Sequence, residues 1–161
     1  MKGATVRAVH TPGHTTDHMA FFLDETRGLF TGDSVLGQGT AVFESLSTYI
    51  SSLKKQLALN PVTIYPGHGP VVTNAKTKLE EYISHRQQRE DEIIEVFSKE
   101  DTGGGLSPRD IVKVIYAKYP QSLWPAAERG VVLHLEKLRD EGKAKETGVG
   151  KWILTKSQSS L

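Results

Sequence analysis

The chain has 161 residues, with 37% apolar and 24% charged content and a formal net charge of +1. That balance is ordinary for a folded globular protein and excludes both wholesale disorder and an overall basic field for nucleic acid. It contains no cysteine, so disulfides and thiolate metal sites are excluded, and any metal chemistry must use His, Asp or Glu.

The first residues, MKGATVRAVH, show neither a signal-peptide core nor transit-peptide character. They lead directly into a strand expected over Thr5 to His10. No apolar run is long enough to span a membrane, so no membrane partner is expected. The stretch HTPGHTTDH then places His10, His14 and His18 four residues apart. On a helix these would share one face. Pro12 and Gly13 argue instead for a strand that ends in a turn, with His14 just past it. Met19 to Leu23 is a short apolar run. Gly28 to Thr31, beyond the polar turn Asp24 to Arg27, reads as its hairpin partner. Leu46, Ile50, Leu53 and Leu57 recur at helical spacing, giving a helix with one apolar stripe. Val62 to Tyr65 reads as a strand of the buried type, closed by Pro66-Gly67. This order points to α/β or α+β layering.

Residues 74–99 read as one long helix with apolar clusters at its two ends (Leu79, Tyr82 and Ile83; Ile93, Ile94 and Phe97) and a polar middle. Gly103 to Gly105 then breaks the chain. Residues 106–155 form a second unit. Ser107-Pro108-Arg109-Asp110 is a helix start with a capping Ser, Pro at the first helical position and an early acid. A further helix carries Ala127, Val131, Leu135 and Leu138. A hairpin follows, turning at Gly148-Val149-Gly150. Helices followed by a hairpin is the order of a winged helix, although only two of its usual three helices can be placed. A short polar tail, Lys156 to Leu161, ends the chain.

Three segments share one design. Thr11-Pro12-Gly13-His14, Thr31-Gly32-Asp33 and Pro66-Gly67-His68 each set a metal-ligand type of residue just past a strand end, beside a glycine that allows a tight turn. If the strands are neighbours, His14, Asp33 and His68 meet at one edge. Imidazole and carboxylate donors suit Zn, Mn or Fe, and an Asp between two His can bridge two metals. Each segment alone is more often structural.

Together, TPGHTTDH, FTGD and YPGHGP resemble the later ligand motifs of the metallo-β-lactamase superfamily, over residues 1 to about 100. With the block from Leu106 onward, Phe43, the 46–57 helix and Tyr82-Ile83-Ser84-His85-Arg86, the chain resembles the β-lactamase-like protein 2 branch. The resemblance implies an α/β, metallo-β-lactamase-like partial sandwich over residues 1–99, including the bridging helix 74–99. A small α+β winged-helix domain would follow over 106–155. It further implies a zinc-dependent hydrolase, an endoribonuclease acting on single-stranded RNA in the mitochondrial matrix. The lack of a targeting segment here leaves the cytoplasm as an alternative.

The superfamily's leading motif, His-x-His-x-Asp-His, is absent. No two of the six histidines stand two apart, and Gly13 and Thr15 occupy the slots before Asp17-His18. By the resemblance the chain is the C-terminal half of the family fold. His14 and Asp33 would serve one metal, Asp33 and His68 the other, and His18 would orient the His14 loop. With two protein ligands per metal, the chain is expected to be weak or inactive alone, and an open half-sheet is expected to favour self-association. A non-catalytic winged-helix module binding nucleic acid or protein remains a separate reading, as does a short isoform or fragment.

The other candidates have plainer expectations. His10 is structural, and His85 and His134 are partly exposed helix residues. Asp17 and Asp24 are turn residues. Lys143, Lys145, Lys151 and Lys156 against Glu146 form a basic wing that is either solvated surface or a phosphate contact. Trp124 and Trp152 belong to the core of the small domain.

Overall fold

A computed structural model describes residues 3–99, 104–148 and 150–155. The chain divides into two compact units, residues 1–86 and 87–161.

The first unit is built on a four-stranded sheet in the order β1 (Val6–His10), β2 (Met19–Leu23), β3 (Gly28–Gly32), β4 (Thr63–Pro66). The first three strands are antiparallel, and β3 and β4 run parallel. Parallel neighbours need a crossover, and α1 (Leu46–Ala58) supplies it. Alternation along the strands sorts the side chains. Ala20, Phe22, Leu29, Thr31 and Ile64 are buried on one face. The opposite face carries Val6, Met19, Phe21, Phe30 and Tyr65, all exposed. Phe21, Phe30 and Tyr65 stand opposite one another across three strands, and Phe30 stacks on Tyr65 at 4.9 Å. β4 is therefore half-buried rather than buried throughout: only Ile64 is enclosed, while Val62 and Tyr65 are 49% and 37% exposed.

The buried stripe of α1 differs from the purely apolar one expected. Leu46 and Leu53 are buried, but Tyr49, Ser52 and Gln56 take the remaining inward positions, with Ile50 and Leu57 only half-buried. Each of these side chains donates a hydrogen bond, which lowers the penalty of burying it, while Gln56 Oε1 is buried without a partner among the described residues. Tyr49 donates to the Ser34 carbonyl (2.6 Å), Ser52 to the Pro12 carbonyl (2.6 Å), and Gln56 to the Ser34 hydroxyl (3.1 Å). The helix thus grips the turns that follow β1 and β3.

A single helix, α2 (Ala75–Lys99), runs through the division between the units, which falls between Arg86 and Gln87. Its first half buries Ala75, Leu79 and Tyr82. Its second half places Ile93, Val96 and Phe97 in the core of the second unit, with Ile111 and Val112 of α3 (Pro108–Ile115), Val131, Leu135 and Leu138 of α4 (Trp124–Asp140), and Ala144 and Trp152 of the hairpin. The helix expected over 74–99 thus supplies a further helix to the core of the second unit, and its two apolar clusters, separated by the polar middle, each enter a different core.

α3 starts with a full capping box between Ser107 and Asp110. β5 (Ala144–Thr147) and β6 (Lys151–Leu154) pair antiparallel, and Leu106 adds a bridge to Trp152. Trp124 packs against this core. Val149, Gly103 and the tail from Lys156 lie outside the described residues.

His134 is not a surface residue. Its side chain is 2% exposed, and it lies 3.8 Å from the buried Glu90 carboxylate. Glu90 also accepts from Lys137 at 2.8 Å, and Lys137 pairs with Glu141 at 2.6 Å. The helical spacing of His134 between Val131 and Leu138 carries this signal, since all three fall on one face. His85, in contrast, is exposed. On the wing, Lys143, Lys145 and Lys151 are all exposed, and Lys143 pairs with Glu141. No helix among the described residues is long and apolar enough to cross a membrane.

Candidate metal centre

The ends of β1, β3 and β4 bring His14, Asp33 and His68 to one place. The Asp33 carboxylate lies between the two imidazoles. Its Oδ2 is 3.8 Å from His14 Nε2, and its Oδ1 is 3.4 Å from His68 Nε2. Both separations exceed a normal N–H···O hydrogen bond. They suit two donors sharing one ion: at metal–ligand distances near 2.1 Å and a tetrahedral angle, donors stand ~3.4 Å apart.

Glycines make this approach feasible. Gly13 has φ +136, and a Cβ there would lie 2.5 Å from Tyr49 Cα. The turn carrying His14 therefore rests directly on the α1 backbone. At Gly67 a Cβ would meet Asp33 Oδ1 at 2.7 Å, so that glycine lets the His68 loop pass beside the carboxylate. Gly67 N–H also donates to the Gly32 carbonyl at 2.8 Å, which joins the ends of β3 and β4. Thr31 and Ser34, both buried, close the turn before and after Asp33. Thr31 Oγ donates to the Val35 carbonyl, and Ser34 Oγ donates to the Thr31 carbonyl, each at 2.8 Å.

The tautomer of His14 follows from its partner. Its Nδ1 lies 2.7 Å from the Val42 carbonyl. A carbonyl can only accept, so Nδ1 carries a proton, and it is Nε2 that faces Asp33 and is the ring's available donor atom for a metal. This is the arrangement in which metal-binding histidines are held. His18 sits behind the pair. Its Nδ1 is 3.1 Å from the Thr11 carbonyl, its ring meets that of His14 edge-on at 6.0 Å, and its Nε2 lies against Gly32. Burial is the largest influence on His18 and lowers its pKa, so the ring is neutral near pH 7. It props the β1 turn against the residue before Asp33. His10 braces the same turn from outside the cluster, with its Nε2 3.0 Å from the Thr16 carbonyl. Asp17 accepts from Thr15, and Asp24 pairs with Arg7, both within turns.

The donors fit a metal in kind and fall short in number. Among the described residues no group of three or more His, Asp or Glu is arranged to hold one ion. Each side of Asp33 offers one imidazole and one carboxylate oxygen, where a catalytic zinc site has three protein donors and a water.

Three supports are not evident from the sequence: the Val42 carbonyl, and the Tyr49 and Gln56 side chains. The first is a backbone group and leaves no mark in sequence. The other two stand with Ser52 at helical spacing, a polar stripe inside an apparently apolar helix. Phe43 stacks on Tyr49 at 4.8 Å, and the Arg86 guanidinium lies 4.8 Å from the Phe43 ring centroid.

Residues 1–68 match the metallo-beta-lactamase superfamily, and residues 107–152 match the beta-lactamase associated winged helix domain. The beta-lactamase-like protein 2 homolog of Drosophila melanogaster is 50% identical over 142 residues, which are 88% of this chain and 48% of that protein. The homolog of Caenorhabditis elegans is 45% identical over 140 residues, 87% of this chain and 46% of that one. The chain thus spans about half the length of the curated relatives it matches. A beta-lactamase domain protein from Burkholderia ambifaria matches the fold with a TM-score of 0.79 at 20% identity, over 95% of this chain and 49% of that one. A metallo-beta-lactamase family protein from Thermus thermophilus matches with a TM-score of 0.74 at 22% identity, over 95% and 52%.

Proposed function

This chain belongs to the metallo-β-lactamase superfamily, with a segment of that fold joined to a β-lactamase-associated winged helix, and from it we propose a metal-dependent hydrolase that cleaves single-stranded RNA. The observation that carries the reading is the Asp33 carboxylate facing a different imidazole with each oxygen, at 3.8 and 3.4 Å.

His14 and Asp33 would hold one divalent cation, and Asp33 and His68 a second; zinc suits the donor set. When bound, such a pair supplies Lewis-acid polarisation of a phosphodiester and a nucleophilic water at neutral pH. The chain's own residues do the positioning. Val42 fixes the His14 tautomer, His18 holds the spacing between the β1 turn and Gly32, and α1 locks both turns through Tyr49, Ser52 and Gln56. Two donors per ion cannot by themselves close a tetrahedral site. The 161-residue chain therefore binds metal weakly and cleaves slowly or not at all, and activity belongs to a longer form that completes the donor set.

The test is cleavage of a single-stranded RNA with Mn²⁺ or Zn²⁺ by this chain and by the longer Drosophila relative. That relative is also prepared with alanine at the positions aligned to Asp33 and His68. The expected result is metal-dependent cleavage by the relative, lost with either alanine, and far slower cleavage by this chain. Cleavage that survives both alanines or a chelator would overturn the reading.

A further inference from the structure

The loop of residues 36–44 is strung between the two candidate ligand histidines. Gly37 N–H donates to the His68 carbonyl at 3.0 Å, and Glu44 N–H donates to the Gly13 carbonyl at 2.7 Å. Val42, between them, holds His14 Nδ1. The loop is pressed against the His68 segment: a Cβ on Gly37 would fall 2.0 Å from the Pro70 carbonyl oxygen, and one on Gly69 would fall 2.6 Å from Gln38 N. The loop therefore shares its backbone with both sides of the candidate centre.

The same loop lines a cavity. Gly39 and Thr40, with Lys78, Glu81, Tyr82 and His85 of α2, line an open surface pocket of about 220 Å³. Tyr82 forms the joint. Its hydroxyl donates to the Gly39 carbonyl at 3.1 Å and accepts from Leu36 N–H at 3.2 Å. The Lys78 ammonium lies 5.4 Å from the Tyr82 ring centroid. Gly39 has φ +82 and open space where a Cβ would stand, so a ligand here meets backbone without steric obstruction.

We propose that this cavity is a nucleotide subsite, which takes one nucleotide of an RNA strand next to the phosphodiester presented at Asp33. The inference rests on the ribonuclease reading and adds to it a place for the substrate. The volume is below the range of about 300–1,000 Å³ typical of drug-sized ligands, which limits an occupant to one nucleotide at most. The lining supplies each recognition a ribonucleotide needs. Lys78 meets a phosphate oxygen. The Glu81 carboxylate and Thr40 hydroxyl take ribose hydroxyls, the group by which a protein distinguishes RNA from DNA. His85 offers a ring for a base to stack on. A purely anionic ligand is disfavoured by Glu81, whereas a ribonucleotide uses it. Because the loop also holds His14 and His68, a nucleotide seated here restrains the segment that sets both imidazoles.

The test is an amide NMR titration of the 161-residue chain with the ribodinucleotide UpU, in the presence of a chelator so that metal plays no part. The expected result is shifts at Gly39, Thr40, Lys78, Glu81 and His85, with smaller shifts at His14. Lys78→Ala should weaken the apparent Kd by about tenfold, as the loss of one charge-assisted phosphate contact does. The deoxy analogue dTpdT should bind more weakly than UpU, and Glu81→Ala should narrow that difference. A dispersed spectrum of each variant confirms folding, and Lys78→Glu gives a second, stronger perturbation. The subsite is overturned if UpU shifts none of these amides, or if both Lys78 variants bind UpU as the wild type does. The two readings fail separately. Cavity shifts with no cleavage by the longer relative would remove the ribonuclease reading alone, and cleavage without cavity shifts would remove the subsite alone.

Discussion

Gly13→Ala tests whether the His14 turn is fixed by backbone-to-backbone contact with α1. The added Cβ would stand 2.5 Å from Tyr49 Cα and 2.8 Å from Tyr49 N, and ordinary contact begins at 3.4 Å, so the turn or the helix must move by 3.4 − 2.5 = 0.9 Å. Neither obstructing atom belongs to a flexible side chain. The φ of +136 adds strain for any residue with a Cβ. Strained backbone costs roughly 1–3 kcal/mol, and overpacking a further 1–3 kcal/mol. A loss of about 3 kcal/mol would lower the melting temperature of a domain this size by roughly 10–20 °C. Thermal unfolding followed by circular dichroism measures it. The shift would also carry His14 away from Asp33, so weak metal binding should disappear in the same variant. A melting temperature within about 1 °C of wild type, with helicity intact, would refute the argument that close backbone approach places His14.

Other perturbations address other parts of the chain. Gly130→Ala, inside α4 with nothing within 4 Å of the new Cβ, should stabilise the second unit by about 0.5–1 kcal/mol, seen as a higher denaturant midpoint. Glu90→Gln leaves the Lys137 ammonium, 11% exposed, with Glu141 as its remaining carboxylate partner in that cluster; chemical denaturation should show a loss of about 2–4 kcal/mol. Burial acts to raise the pKa of Glu90, but His134 and Lys137 outweigh it and hold the carboxyl below 4.5. The stability it contributes is therefore complete above pH 4.5 and is lost as pH falls below that value, and Glu90→Gln should flatten the acid limb. Replacing Phe21 and Phe30, exposed by 45% and 43%, with threonine should reduce concentration-dependent association in light scattering, because these rings form the open apolar face of the sheet. Unchanged association would mean that this face does not drive it.

Much of the architecture was legible because local signals agreed with the tertiary outcome. The hairpin, the 46–57 stripe and the Ser107 capping box each point to one structure. The strand-end placement of His14, Asp33 and His68 was legible for the same reason, since each glycine turn follows a strand. The two apolar clusters of α2, with a polar middle between them, were legible too, and each enters a different core, although the helix's part in the second unit's core was not assigned. Two features were not. The inward face of α1 contains Tyr49, Ser52 and Gln56, whose burial makes sense only once the carbonyls of Pro12 and Ser34 and the Ser34 hydroxyl stand opposite them. The burial of His134 depends likewise on Glu90, 44 residues away in sequence.

Asp33 stands as a shared carboxylate between two incomplete donor pairs, and the function proposed for the chain depends on that arrangement. Titration with Co²⁺, followed by visible absorption and by competition with a chelator, tests it. Binding should be weak and easily stripped, should vanish in Asp33→Ala, and should be reduced by either His14→Ala or His68→Ala. Tight binding that survives Asp33→Ala would contradict the shared-carboxylate arrangement.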